Sequence, residues 1–179
     1  MKSIRAVPAF LALSALAALP ANADVLHADL SGFNETPATL SSPATGDFHA
    51  RISQDGTEIQ YQLTYSGFVT PVLQSHLHLG RPALTGGIMV FLCSNLGNGP
   101  AGTQACPSPA GTITGTLTAA DVVGPTAQGI TPGQFAQVVD AIRSGAAYAN
   151  IHSQAFPGGE VRGPVRDFRI PMNRDGDRD

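Results

Sequence analysis

Lysine is almost missing from this chain: the single one, Lys2, stands among the first five residues, and charged residues make up only 13% of the total. Arg5 is the only other cation before residue 24, so losing residues 1–23 moves the formal charge from −3 to −5. The remaining arginines are scattered. Nucleic-acid binding through phosphates needs clustered cationic side chains, and this balance argues against it. A second long apolar run is missing too. The run present, Val7–Leu19, is shorter than the about 20 residues that a bilayer crossing needs. It lies between Lys2/Arg5 and the small residues Ala21-Asn22-Ala23, the order of a secretory signal peptide cut after Ala23. The expected product is exported, periplasmic or secreted, and does not span the membrane. Residues 24–170 suit one domain of common size. The tail 171–179 contains "NRDGDRD", whose alternating acids resemble part of a calcium loop without the rest of it, and is expected to be flexible. No Gly-x-Ser-x-Gly elbow is present, which leaves a hydrolase without its usual signature.

Cysteine is scarce as well. Cys93 and Cys106 flank "SNLGNGPAGTQA", a Gly, Pro, Asn and Ser stretch without apolar period. In an exported chain the economical reading is one disulfide stapling a surface loop, stabilising by roughly 3 kcal/mol through loop closure. The alternative is a free thiolate in a copper site of the His, His, Cys type.

Short strands dominate what is there. "DVLHADLSG" and "GDFHARIS" alternate in part, "EIQYQLTYSG" alternates well, and "GGIMVFLC" is a continuous apolar run. "AGTITGTLT", "AAYANIHS" and "GEVRGPVRDFRI" complete the set, and Gln54-Asp55-Gly56-Thr57 suits a hairpin turn. The fold class is all-β: an antiparallel, Greek-key-like sandwich or barrel of about 7–8 strands. "TPGQFAQVVDAIRSG" departs from the pattern. Thr131 as N-cap, Pro132 at the first helical position, Gln134 closing a capping box and Gly145 at the C-terminal cap predict one amphipathic helix near 132–144 that packs on the sheet.

Residues two apart on a strand share a face. In "SHLHLG", Leu77 and Leu79 take one side while His76 and His78 take the other. In "AAYANIHS", Tyr148, Asn150 and His152 share the polar side, and in "GEVRGPV" Glu160 and Arg162 do. If these strands are neighbours, three imidazoles converge on a face opposite the core, where a site would open to solvent. His76, His78 and His152 then form a first shell for copper, or alternatively zinc, with a free position for water or substrate. Glu160 is a possible fourth ligand or hydrogen-bond acceptor, Asn150 can orient a ring, and Arg162 stands close by. A surface ion pair between Glu160 and Arg162 is their simplest reading. His27 and His49 have no partner at ligand spacing and are read as solvated.

"LSGFNETPATLSSPATG", then "YQLTYSGF" with "SHLHLG", then "AAYANIHSQAFPGGEVRGPV" resemble the CHRD (chordin) domain, with its L-S-G-x-x-E-x-P opening, central H-x-H-x-G and closing Y-x-N-x-H-(T/S)-x-x-x-P-x-G-E-x-R-G. The likeness covers nearly all of the chain after residue 23. Ala149 stands where a larger apolar residue is frequent, Ser153 where Thr is usual, and the cysteine-flanked loop is a further departure. The resemblance implies an all-β extracytoplasmic module of the stand-alone bacterial exported type; the growth-factor binding of chordin does not carry over to a single copy behind a bacterial-type signal. The His-x-His is also similar to the copper-ligand strand of copper/zinc superoxide dismutases, but the further ligand histidines and intervening aspartate of those enzymes have no counterpart here. The leading expectation is therefore an exported protein that binds a transition metal, copper first, for buffering, delivery or redox chemistry. The alternative is a metal-free module that binds an envelope or extracellular protein or a glycan, and a dismutase-like copper enzyme comes third.

Overall fold

A computed structural model describes residues 24–167; the expected signal peptide, 1–23, and the expected flexible tail, 171–179, lie outside them. Eight strands, β1 (Asp24–Ser31), β2 (Thr45–Ile52), β3 (Ile59–Ser66), β4 (Val72–Leu79), β5 (Ile88–Ser94), β6 (Gly111–Leu117), β7 (Ala147–Ser153) and β8 (Val161–Pro164), run antiparallel in the order β5-β4-β7-β8-β1-β2-β3-β6, and a two-residue β9 (Arg166–Asp167) pairs with β1. The sheet curls into a nearly closed barrel, the all-β architecture expected from the strand pattern. Its seam, between β5 and β6, is stitched by side chains. Gln104 Nε2 donates to Thr114 O on β6 at 3.0 Å and to Leu92 O on β5 at 3.4 Å, and Tyr61 Oη donates to the same Leu92 O at 2.8 Å.

Alternation decides which side chains fill the barrel. On β3, Ile59, Tyr61, Leu63 and Tyr65 are buried while the residues between them are exposed, because the pleat sends successive side chains to opposite faces. Leu26, Leu30, Phe48, Ile52, Leu77, Ala149, Ile151 and Val161 belong to the same buried core. The β2–β3 hairpin turns where expected, with Gly56 at φ 71° and Asp55 accepting from Ser53 Oγ at 2.6 Å.

One helix, α1 (Phe135–Arg143), buries Phe135, Val138, Val139, Ala141 and Ile142. It starts later than the sequence predicts. Thr131 N does donate to Gln134 Oε1 at 2.8 Å, but Gly133 takes φ 86°, which no α-helix accommodates, so Gln134 is the N-cap and Pro132 stands outside. At the other end Gly145, at φ 69°, donates to Ile142 O and Ala146 donates to Ala141 O, the paired bonds of a Schellman ending.

Cys93 and Cys106 form a disulfide, and no free cysteine is present among the described residues. The cysteine-ligated copper site is thereby set aside. Inside the stapled loop Asn95 Nδ2 donates to Val72 O and Cys106 O, and Asn95 Oδ1 accepts from Cys106 N.

Candidate metal centre

Strands β4, β7 and β8 are neighbours, and their register sets His76 opposite Asn150, Asn150 opposite Arg162, His78 opposite Tyr148 and Gln74 opposite His152. Directly opposed residues share a face. The row His76–Asn150–Arg162 therefore points away from the barrel interior, as the alternation argument requires. That outer face is not solvated, however. All seven residues of β7 are buried, and His76, His78 and His152 are 0%, 7% and 6% exposed. The expectation of a site open to solvent is corrected: the connection after β4, the turn after β7 and the segment after β1 fold back over this face. The covering connection is anchored by Gln128, which donates to Leu79 O and accepts from Gly87 N. Phe91 packs edge-on against the His76 ring at 4.5 Å.

The three imidazoles each offer a nitrogen within 4.8 Å of the other two. His76 Nδ1 lies 3.2 Å from His152 Nε2. His78 Nδ1 is 3.0 Å from Gly86 O, and His152 Nδ1 is 2.9 Å from Pro157 O. A carbonyl can only accept, so both Nδ1 atoms carry hydrogen and both Nε2 atoms carry the lone pair. His78 Nε2 and His76 Nε2 are buried without a hydrogen-bond partner. The rings are held neutral. Burial pushes His76 down to about 2, helped by His152 and His78 beside it. Burial likewise lowers His78 to about 4 against the opposing effect of the Gly86 carbonyl, with His152 and Arg162 adding to the drop. His152 is lowered by burial, and the Pro157 carbonyl opposes this.

The neighbouring polar residues form a second, adjoining cluster. Tyr148 touches both: the His78 ring stacks on it at 4.8 Å and 3°, and the Arg162 guanidinium lies over its ring, 3.8 Å from the centroid. Arg162 also donates to Thr36 Oγ1 and to Leu84 O. Glu160 Oε1 accepts from Ser42 Oγ at 2.6 Å, and its Oε2 is buried without partner. The surface ion pair expected between Glu160 and Arg162 is replaced by these separate contacts, because both side chains are covered. The three-imidazole group includes no carboxylate; Glu160 faces Ser42, and Arg162 packs on Tyr148 beside His78. Asn150 Oδ1 and Glu35 Oε1 are buried and unpartnered, both near Gly159, whose missing Cβ leaves them room. Burial raises Glu35 to about 7, opposed by Arg162 and the Thr36 backbone N–H.

Sequence reasoning did not single out Glu35 as a site residue. Its only signal is the acid of "FNETP" in the opening motif. The carbonyls of Gly86 and Pro157 leave no signal in a sequence, since any residue type supplies one.

The fold and the site together define an all-β barrel module with a histidine-rich outer face closed by loops. The chain belongs to the CHRD domain family, whose model matches residues 26–165. Searches of curated proteins and of solved structures returned no match. CHRD domains are extracytoplasmic modules, and the disulfide fits an oxidising compartment. Among the described residues no helix is long and apolar enough to cross a membrane.

Proposed function

We propose that the protein is an exported metal-binding module in which His76, His78 and His152 ligate a transition metal, copper first and zinc as the alternative. The observation that carries this reading is the gathering of one nitrogen from each imidazole within 4.8 Å, with His76 Nδ1 and His152 Nε2 separated by 3.2 Å. Two nitrogens on one metal at about 2.0–2.1 Å stand roughly 3.3 Å apart in tetrahedral geometry. Ligand histidines also usually donate their other ring N–H to a carbonyl or carboxylate, and His78 and His152 do so here to Gly86 and Pro157. Neutral imidazoles suit copper and zinc, and copper(II) heads the divalent affinity order. Burial favours retention or delivery of the ion over turnover.

The test is titration of the protein with Cu(II), Cu(I) and Zn(II), beside the His76→Ala/His78→Ala variant. Sub-micromolar copper binding that the variant loses by a hundredfold or more supports the proposal. Absence of tight binding, or equal binding by both proteins, removes it and leaves the metal-free module that contacts an envelope protein or a glycan. A superoxide-dismutation assay on the loaded protein separates storage from redox turnover.

A further inference from the structure

The outer wall of the barrel carries a second group of metal-ligand type, on β1 and β2. His27 and His49 are 22 positions apart in sequence and suggest nothing there, yet they are directly opposed in the β1–β2 register, and their rings lie 4.6 Å apart. Between them stands Asp47. Its Oδ2 is 3.2 Å from His27 Nε2, and its Oδ1 is 2.6 Å from His49 Nε2. One nitrogen from each ring and one carboxylate oxygen lie within 4.8 Å of one another. Asp29 adds a second carboxylate 3.5 Å from His27 Nε2. Two acids against two imidazoles make the spot attractive to a divalent cation, although Arg166, opposite His27 on β9, and Arg51, two residues along from His49, flank it.

We infer that His27, His49 and Asp47 form a separate, solvent-accessible site for a divalent first-row cation of the zinc or copper(II) type. Two imidazoles and one carboxylate supply three protein ligands, with the remaining positions filled by water, the donor set of open zinc sites. Ligand atoms around such an ion lie about 2.9–3.4 Å apart, so His27 and Asp47 are already at that distance and His49 must withdraw slightly. Strands fix the two rings at little entropic cost. The side chains of Asp47 and His49 are 46% and 57% exposed, so an ion enters and leaves without any loop opening, in contrast to the buried triad.

This inference does not depend on the triad. Equilibrium dialysis against Zn(II) is run on four proteins: wild type, His27→Ala/His49→Ala, Asp47→Asn, and His76→Ala/His78→Ala. The first double variant is expected to lose one zinc equivalent relative to wild type, and Asp47→Asn is expected to weaken that equivalent by tenfold or more. Zinc added to the His76→Ala/His78→Ala protein should still shift the ring-proton NMR signals of His27 and His49. Thermal melting of each variant checks that it folds. Unchanged stoichiometry in both outer-wall variants, or ring signals of His27 and His49 unmoved by zinc, overturns the inference. Loss of binding only in the triad variant would do the same while leaving the triad intact.

Discussion

His78 keeps its lone pair on Nε2 because its Nδ1–H is tied to one backbone oxygen, that of Gly86. Gly86 is glycine for a reason of space: a Cβ there would run into the carbonyl of Leu79, a backbone group that cannot move aside. The connection over the triad therefore closes only if this residue has no side chain, and closing it is what positions the oxygen. Gly86→Ala is expected to weaken metal binding by about 10–100-fold, the usual effect of losing the partner of a ligand histidine. Gly158→Ala, whose added methyl would meet nothing within 4 Å, should leave binding and melting temperature unchanged. Copper titration of the two variants side by side checks this, and equal affinities would show that the Gly86 carbonyl does not set the ligand. At this scale the sequence is informative about side chains alone. His76, His78 and His152 can be found by counting residues along strands, whereas Gly86 O and Pro157 O cannot, since the hydrogen bonds that select the tautomer come from the main chain.

Among the elements, β3 and β7 mark the limits of reading alternation. β3 shows one buried and one exposed face, so its pattern and its place in the barrel agree. β7 has the same period but both faces buried, because the connection after β4, the segment after β1 and its own following turn cover its outer side. Nothing local to "AYANIHS" announces that cover, and for this reason alternation alone predicts an open triad. The helix start failed for a more local reason: Gly133 is compatible with a helical spacing but adopts a positive φ that stops it. The cysteine-flanked loop, by contrast, is an element whose constraint can be read directly, and the bridge is present. Closing a loop of this length stabilises by roughly 3 kcal/mol. The loop also carries Gln104 to the β5–β6 seam. Replacing both cysteines by alanine should therefore lower the melting temperature by roughly 6–12 °C. Wild type melted in reductant should approach the same value. Identical melting of oxidised wild type and the double variant would mean that Asn95 and the seam contacts order this loop without the bridge.

The molecule as a whole has few charges, so a handful of buried titratable groups set its response to pH. In the metal-free protein His76 is held down to about 2 and His78 to about 4, and His152 is lowered as well. Unfolded histidines take up protons near 6.5. Their contribution to stability is therefore complete above 6.5 and is lost as pH falls from there, toward 4 for His78 and toward 2 for His76, because the unfolded chain binds protons that the native triad refuses. Each such histidine gives a slope of about 1.4 kcal/mol per pH unit in that window. Glu35 acts in the opposite direction. With its carboxyl raised to about 7 from 4.5, the native protein keeps a proton that the unfolded chain releases, so this contribution is complete below 4.5 and fades as pH rises through 7. Between about pH 4.5 and 6.5 Glu35 offsets only one of the three histidine slopes, so stability rises with pH from 4 and levels off near 7. Urea midpoints measured from pH 4 to pH 8 should trace this rise and plateau, and Glu35→Gln, which removes the opposing slope, should steepen the rise between about pH 4.5 and 7. Midpoints that stay level down to pH 5 would show that the native triad accepts protons freely. Such a triad would have to be solvated, and both its buried geometry and its fixed tautomers would then be wrong.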